Sequence, residues 1–405
     1  MQVSFFVDQY PCYSETFIQN QIDGLLAAGI KVQVITLFSD PTAPINPKLP
    51  VKAIYQRPDP KVKMVIKRSL SVISSLFNTS VWRSLSQNQF ALLRKNLFLP
   101  ALAADWHKKH GSMQNDIILA HFGTTAVTAA MLIELGLLQG KLVSVFHGFE
   151  LSEHQVLARY KKAYRGLFAT TELCMPVSQL WAQRLKTLGC PENKIQVHHM
   201  GIYADTFSLL EPNRPLNNPI QLLSVARLVE KKGLDDAIDA ISLLKQQQIP
   251  AKLTIIGDGP LKAALQQHIQ HLNLQDRVKL AGALPHSDVK QALERCDIFM
   301  LPSKTAANGD MEGIPVSLME AMARGIIVLS TKHSGISELI KHNENGYLVD
   351  ENAPEQLAQQ IQSIAKANNL SQIRLSARAQ IEAHFNQSVL NENLISQLQA
   401  LHDLS

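Results

Sequence analysis

Cysteine is scarce in this chain, and no run of apolar residues is long. The 405 residues contain four cysteines, at positions 12, 174, 190 and 296, with neither a Cys-x-x-Cys pair nor metal-ligand spacing. We expect them to be reduced cytosolic thiols with structural roles. No apolar run approaches the roughly 18 residues of a membrane span. The first residues also lack the basic and apolar parts of a signal peptide. These absences predict a cytoplasmic protein.

Repeats and compositionally biased segments are absent as well. Hydrophobic residues make up 46% of the chain and charged residues 18%, a composition typical of a soluble globular protein. A chain of this length is long for one core and natural for two domains. No Gly-x-Gly-x-x-Gly sequence opens the first predicted helix, which disfavours an NAD(P) dehydrogenase.

Acidic residues are rare in one part of the sequence. Residues 1–200 carry 21 Lys and Arg against 12 Asp and Glu, and within 48–109 the count is 12 against 2. One interpretation is a solvated helix face. Another is attraction to an anionic membrane surface or a polyprenyl-phosphate carrier, worth about 1 kcal/mol per basic group near the surface. Nucleic acid is not expected as a partner, because no recognition motif accompanies the charge.

Strand and helix patterns alternate along the chain. In the first half, residues 14–29 have the apolar spacing of a helix between two strand-like runs, with Ser14 as a plausible N-cap and Gly29 as its stop. In the second half, strand runs alternate with predicted helices near 233–247, at 260–272, at 286–295 and at 315–324. The pattern predicts the α/β fold class, with two Rossmann-like, doubly wound domains. Ligands in such sheets bind beyond the carboxyl ends of the strands, which here predicts an interdomain cleft.

The predicted domain boundary lies in a segment rich in proline and asparagine. We predict a first domain over 1–208, a linker over 209–219 and a second domain over 220–377. The helical remainder, 378–405, has no strand after it and is expected to pack back on the first domain.

The segment "MEGIPVSLME" at 311–320 holds two glutamates, Glu312 and Glu320, separated by a proline. Pro315 suits the first turn of a helix, so the two carboxylates are expected on different elements. Gly313 permits close approach of a ligand, and the free N–H groups of a helix start favour an anion, most simply a phosphate. The alternatives are an exposed helix residue for Glu320 and a first-turn acid stabilised by the helix dipole for Glu312.

Other candidates follow strands. Arg227 and Lys232, in "SVARLVEKKGL", are well placed to clamp a diphosphate, although either could be a surface cation. His147 follows a buried strand in "VFHGFE", where a structural role is the alternative. Gly257, in "IIGDGP", is a weak signal because any turn between strand and helix uses glycine.

Taken together, these segments resemble glycosyltransferase family 4, whose members have the GT-B architecture. The matching elements are Glu-x7-Glu at 312–320 and Arg-x4-Lys-Gly at 227–233, with further likeness in "LAGALPHSDV" around Ala283 and Leu284. The resemblance runs in the expected order from about residue 3 to residue 350. The segments "SETFIQNQ", "AHFG" and "NGDMEGIPVSLMEAMARG" are similar to those of the bacterial exopolysaccharide subgroup that builds colanic acid or amylovoran.

The resemblance implies a retaining transfer from a nucleoside diphosphate sugar, UDP- or GDP-linked, to a polyprenyl-diphosphate-linked acceptor at the inner face of the cytoplasmic membrane. The first domain would bind the acceptor and the second the nucleotide sugar. The implied donor contacts are the ribose for Glu320, the sugar for Glu312 and His147, the diphosphate for Arg227 and Lys232, and the nucleobase for the backbone of Ala283 and Leu284. The backbone of Gly313, Ile314 and Pro315 would also bind the donor diphosphate, and Gly257 belongs to the same set. No Asp-x-Asp triplet occurs, so no metal and no other cofactor is expected.

The sequence departs from the family in two places. The first turn between strand and helix is "YPCYSETF" rather than glycine-rich, and Met200-Gly201 replaces the usual Asn-Gly. Two other functions stay open: a nucleotide-sugar epimerase or isomerase of the same fold, and a catalytically silent sugar-nucleotide binder.

Overall fold

The structure, a computed structural model, divides into two units. It describes residues 1–12, 16–39, 49–56, 68–73, 83 and 98–404. The first unit comprises Met1–His198 together with Asn391–Ser405, and the second comprises His199–Leu390. Each contains a parallel sheet of six strands flanked by helices, as the alternating pattern predicts.

The sheet of the first unit has the strand order β3-β2-β1-β4-β5-β6. Its strands are β1 Gln2–Tyr10, β2 Lys31–Ser39, β3 Val51–Gln56, β4 Met113–His121, β5 Leu138–Phe146 and β6 Thr171–Pro176. Its helices are α1 Thr16–Ala27, α2 Phe98–His110, α3 Gly123–Glu134, α4 Phe149–Ser152, α5 His154–Thr170 and α6 Gln179–Thr187. The central strands are nearly continuous apolar runs because helices cover both faces of the sheet. The strand order reverses between β1 and β4, so the carboxyl ends of these strands mark the expected ligand-binding edge.

The sheet of the second unit has the order β12-β11-β10-β7-β8-β9. Its strands are β7 Ile220–Val225, β8 Ala251–Ile256, β9 Val278–Gly282, β10 Ile298–Leu301, β11 Ile327–Thr331 and β12 Tyr347–Val349. Its helices are α7 Leu234–Gln246, α8 Lys262–His271, α9 His286–Arg295, α10 Val316–Ala323, α11 Ile336–Leu339, α12 Pro354–Ala365 and α13 Leu370–His384, and α14 Gln387–Asp403 ends the chain. Here the order reverses between β7 and β10, and the loops after these two strands therefore meet at one edge.

The boundary between the units differs from the predicted segments. It falls after His198, and residues 209–219 belong to the second unit. Arg374 fixes this segment, because its guanidinium donates to the carbonyl oxygens of Pro212 and Arg214, each at 2.7 Å. Residues 378–390 also belong to the second unit, whereas 391–405 group with the first. The proline-rich composition thus marks a bonded segment on the surface of the second unit.

Two of the scattered cysteines are neighbours in the fold. The Sγ atoms of Cys174 and Cys190 lie 3.5 Å apart, and all four cysteines are free thiols. Strand β6 and the turn after α6 bring the pair together, which spacing along the chain does not reveal.

Among the helices that the structure describes, none is both long and apolar enough to cross a bilayer. Most of the basic stretch 48–109, and the predicted N-cap Ser14, lie outside the described residues.

Candidate active site

In the second unit, the loops that follow β7 and β10 bring Lys232 and Glu312 together. The Nζ atom of Lys232 lies 2.9 Å from Oε2 of Glu312. The neighbouring Lys231 lies 3.9 Å from the other oxygen of Glu312 and 3.1 Å from the Asp310 carboxylate. The sequence indicates Lys232 and Glu312 but not Lys231, whose side chain points to the same cluster.

Gly233 sets the position of both lysines. A short 3-10 turn, Glu230–Lys232, ends at Gly233, whose φ of 61° lies in the left-handed region. A Cβ atom at this position would lie 1.8 Å from the carbonyl oxygen of Pro302, which follows β10. Only glycine permits this close approach, so Gly233 locks the lysine turn against the loop that carries Glu312.

Glu312 is a buried carboxylate in this cluster, with 6% of its surface exposed. Burial raises the pKa of Glu312, but attraction by Lys232 and then Lys231 outweighs it and holds the pKa below its usual range. Its Oε1 atom has no hydrogen-bond partner within the described part of the chain. A buried charged oxygen without a donor is costly, so this atom suits the hydroxyl group of a ligand.

A second layer of side chains holds the backbone of Glu312. The N–H of Glu312 donates to Nε2 of His333 at 3.1 Å, and the hydroxyl of Ser334 donates to its carbonyl oxygen at 2.6 Å. Nδ1 of His333 lies 2.7 Å from Oε1 of Glu351. None of these three residues was indicated by the sequence, because they lie 21 to 39 positions away and belong to no motif named above.

Helix α10 begins directly after the Gly-Ile-Pro segment. Pro315 is its N-cap and Val316 its first residue, one position later than predicted, and Gly325 ends the helix with a φ of 67°. The first N–H groups of a helix have no partner within it, so those of Val316 and Ser317 remain available to an anion.

Glu320 lies on α10, whereas Glu312 lies in the loop before it. Burial raises the pKa of Glu320 to about 7, and the nearby guanidinium of Arg324 only partly opposes this effect. The two glutamates therefore differ in charge near neutral pH, and they do not form a symmetric acid–base pair.

The other predicted donor residues follow neighbouring strands of the same sheet. Arg227 is exposed just beyond β7, and Ala283 and Leu284 are exposed just beyond β9. Gly257 has a φ of 144°, and a Cβ atom there would lie 1.8 Å from the carbonyl oxygen of Ala226. Glycine at position 257 thus allows the loops after β7 and β8 to pack closely. A direct contact of Gly257 with the donor stays a prediction.

In the first unit, His147 lies beyond β5 among aromatic rings. Its ring centroid is 4.3 Å from that of Phe122 and 4.7 Å from that of Phe17. Its Nε2 atom lies 3.1 Å from Nδ1 of the fully buried His121. Burial lowers the pKa of His147 to about 3, so the imidazole is neutral at physiological pH.

Glu150 anchors the backbone around His147. Its fully buried carboxylate accepts the N–H groups of His147 at 2.8 Å, Gly148 at 3.0 Å and Gly123 at 3.2 Å. These bonds tie together the loops after β4 and β5. Glu150 stands in the same "VFHGFE" segment as His147, yet only the fold shows that its side chain turns back on the loop.

A small cavity of about 170 Å³ lies at the carboxyl end of β1, next to the unusual first turn. Tyr10, Cys12 and Thr16 are among its lining residues. The hydroxyl of Tyr10 donates to the side-chain oxygen of Gln19 at 2.6 Å, which fixes one wall.

Comparison with known proteins agrees with this geometry. The profile described as Glycosyltransferase Family 4 matches residues 14–206, and that described as Glycosyl transferases group 1 matches 208–380. AmsK of Erwinia amylovora, named for amylovoran biosynthesis, is 40% identical over 412 residues, which cover 99% of this chain and 100% of AmsK. WcaL of Escherichia coli strain K12, named for colanic acid biosynthesis, is 38% identical over 410 residues, with the same coverage.

This chain is a family 4 glycosyltransferase. The GT-B fold of this glycosyltransferase is shared with solved structures of low sequence identity. HepE of Anabaena, solved with UDP-glucose, has a TM-score of 0.72 at 20% identity and covers 99% of this chain and 100% of its own. Sucrose-phosphate synthase from Thermosynechococcus elongatus has a TM-score of 0.73 at 17% identity and covers both chains fully. The resemblance inferred from the sequence motifs is therefore confirmed at the level of family and fold.

Proposed function

We propose that this glycosyltransferase moves a sugar, with retention of configuration, from a nucleoside diphosphate sugar to a polyprenyl-diphosphate-linked oligosaccharide during exopolysaccharide assembly. The names of AmsK and WcaL support the polysaccharide context. HepE, which shares the fold, was solved with UDP and with UDP-glucose, and this supports a nucleotide-sugar donor.

The observation that carries the proposal is the buried cluster of Lys231, Lys232 and Glu312 beside the start of α10. Free helix N–H groups, Arg227 and Lys232 can stabilise a leaving diphosphate at this edge. The charges of Lys231 and Lys232 are balanced by Asp310 and Glu312, so the exposed Arg227 supplies the uncompensated positive charge. The unpartnered Oε1 of Glu312 can accept a hydroxyl of the donor sugar. No metal is required to stabilise the diphosphate in this arrangement, so activity is expected to survive a chelator.

The proposed chemistry needs no protein base. The bond between the anomeric carbon and the phosphate oxygen breaks while the acceptor oxygen attacks the same face of the sugar. The departing phosphate oxygen takes the proton of the acceptor hydroxyl. Cations and amides aimed at the diphosphate stabilise the charge that develops there, which lowers the barrier.

The roles of the two glutamates can be separated by kinetics. Above pH 7, where its carboxyl is charged, Glu320→Ala should weaken donor binding roughly tenfold to a hundredfold, because a charge-assisted bond to a ribose hydroxyl contributes about 1.5–3 kcal/mol. Glu312→Ala should instead lower kcat while donor affinity stays similar. Calorimetric titration with UDP and GDP, combined with steady-state kinetics, measures both. Equal losses of kcat at unchanged donor affinity in both variants would contradict this division.

An epimerase or isomerase is distinguished by leaving out the acceptor. Incubation with the donor alone should yield no new nucleotide sugar if the protein is a transferase. A new nucleotide sugar in that reaction would favour the isomerase instead. A silent binder would bind the nucleotide but release no nucleoside diphosphate when donor and acceptor are both present.

We also propose that the basic segment brings the enzyme to an anionic membrane surface, where a lipid-linked acceptor would be found. Within 68–73, the side chains of Leu70 and Ile73 are each 61% exposed. Their three-residue spacing places them on one side of a helical turn, where apolar groups can enter the headgroup region.

A further inference from the structure

His333 is held in one tautomer by its two partners. Its side chain is fully buried, and its Nε2 lies 3.1 Å from the backbone nitrogen of Glu312. Because that N–H donates, Nε2 carries no proton and accepts. Nδ1 must then carry the proton, and it donates to Oε1 of Glu351 at 2.7 Å. Glu351 thus selects the tautomer that can bind Glu312.

Glu351 also fixes the other end of the same loop. Its Oε2 accepts the N–H of Thr305 at 2.7 Å, and Thr305 lies at the beginning of the loop that leads from β10 to Glu312. Burial raises the pKa of Glu351, but hydrogen bonds from Thr305 and His333 outweigh it and hold the pKa below its usual range. The carboxylate therefore stays charged and accepts at both ends of the loop.

Ser334 completes the hold on Glu312. Its hydroxyl donates to the Glu312 carbonyl oxygen, while its own backbone has a φ of 47°. A serine in this left-handed region costs free energy, on the order of 1 kcal/mol or more. Consecutive residues, His333 and Ser334, thus bind both polar backbone groups of Glu312.

The geometry points to His333 and Glu351 as positioning residues that place Glu312 against the donor sugar. Lys232 and Lys231 pair with the Glu312 side chain from a different loop, and Lys231 also donates to the carbonyl oxygen of Met311 at 3.3 Å, whereas His333 and Ser334 bind the N–H and the carbonyl oxygen of Glu312 itself. With that backbone fixed, the unpartnered Oε1 keeps one location. This inference rests on the proposed role of Glu312. His333 and Glu351 would hold the Glu312 carboxylate in place without touching the substrate themselves.

The test compares His333→Phe, which keeps a buried ring but removes both nitrogens, with His333→Gln, whose side-chain oxygen can accept the Glu312 N–H. The control is His342→Phe, because Nδ1 of His342 accepts a backbone N–H from Leu348 at 3.1 Å, away from Glu312. We expect His333→Phe to lower kcat about tenfold to a hundredfold, since small misplacements of a positioned group have effects of that order. UDP affinity should change less than about twofold, and His333→Gln should restore much of the rate.

Glu351→Ala should lower kcat in the wild-type background and lower it less in His333→Phe, because in that variant only the bond between Glu351 and Thr305 is left to lose. Nitrogen-15 NMR of the imidazoles should show His333 protonated at Nδ1 alone, and Glu351→Ala should relax that preference. Three results would overturn the inference. They are additive losses of kcat in the double variant, a His333 protonated at Nε2, and a loss of UDP affinity in His333→Phe as large as its loss of kcat.

The same experiments separate this inference from the proposed function. If Glu312→Ala keeps full turnover, the role proposed for Glu312 fails, whatever the tautomer of His333. If Glu312→Ala loses turnover while His333→Phe does not, the positioning inference fails and the proposed function stands.

Discussion

Glu320 shows how one buried carboxyl couples protonation to stability. Its pKa rises from an ordinary 4.5 to about 7 because burial disfavours the charged form. The folded protein therefore binds more protons than the unfolded chain between about pH 4.5 and pH 7. The contribution of Glu320 to stability therefore falls as the pH rises through that window.

We expect Glu320→Gln to remove this fall. Urea unfolding should show the variant gaining stability relative to the wild type at pH 8 but not at pH 4, where the wild-type carboxyl is neutral in both states. Glu344→Gln, at an exposed position of the same unit, serves as the control. An unchanged pH profile in Glu320→Gln would show that another group is responsible.

Single residues were predictable where their signal is local. Glu312 and Lys232 were identified because the motif spacing carries them. The sequence did not indicate Lys231, His333 or Glu150. Each of these residues acts through a bond to a backbone group or to another loop, and the chain brings that partner near only when it folds. His121, which contacts His147 through its ring, was missed for the same reason.

At the scale of elements, the central strands and the helices were predicted well. Helix α9 spans the predicted 286–295, and α10 ends at the predicted glycine. The apolar runs of the sequence did not indicate strands β3, β6 and β12, which are all edge strands of their sheets. An edge strand has a neighbour on one side only, so its sequence, such as "VKAIYQ" in β3, is less strictly apolar.

The turn at Gly233 offers a sharp test of an element. Gly233→Ala places a Cβ atom where the Pro302 carbonyl oxygen already lies, and it also strains the left-handed backbone. Gly111→Ala is the matched control, since its φ of 63° is nearly the same but nothing lies within 4 Å of its Cβ. Strain alone costs about 1–2 kcal/mol. We expect Gly233→Ala to lose clearly more free energy of unfolding than this and also to weaken UDP binding, because the lysine turn must move. Equal losses of free energy of unfolding in Gly233→Ala and Gly111→Ala would exclude a contribution from the clash.

At the scale of the whole molecule, charge is the dominant feature. The surplus of basic residues lies in 1–200, and the rest of the chain carries 18 basic against 22 acidic residues. The sequence predicts this asymmetry directly, whereas the position of the unit boundary depends on hydrogen bonds such as those of Arg374. Composition alone could not locate that boundary, because proline suits a bonded surface segment as well as a free linker.

Binding to lipid vesicles tests the proposed use of this charge. Vesicles containing phosphatidylglycerol should bind the enzyme at low salt and release it as salt rises, because surface charges are screened within about 10 Å at 0.1 M salt. Replacing Leu70 and Ile73 by Ser should weaken vesicle binding relative to the wild type at the same salt concentration. Replacing the exposed Leu404 by Ser should leave vesicle binding unchanged. Vesicle binding that does not change with salt concentration, or the absence of vesicle binding at low salt, would refute the membrane proposal.

The chain returns to its first unit only at the end. Residues 391–405 group with 1–198, and Leu394 and Leu398 of α14 are fully buried. Domains generally fold as units, N-terminal ones first, while the chain is being synthesised. Here the part made first lacks a piece of its core until residues 391–405 leave the ribosome. The second unit can therefore be complete before the first, and a growing chain must keep the unfinished apolar surface from aggregating until helix α14 has been made.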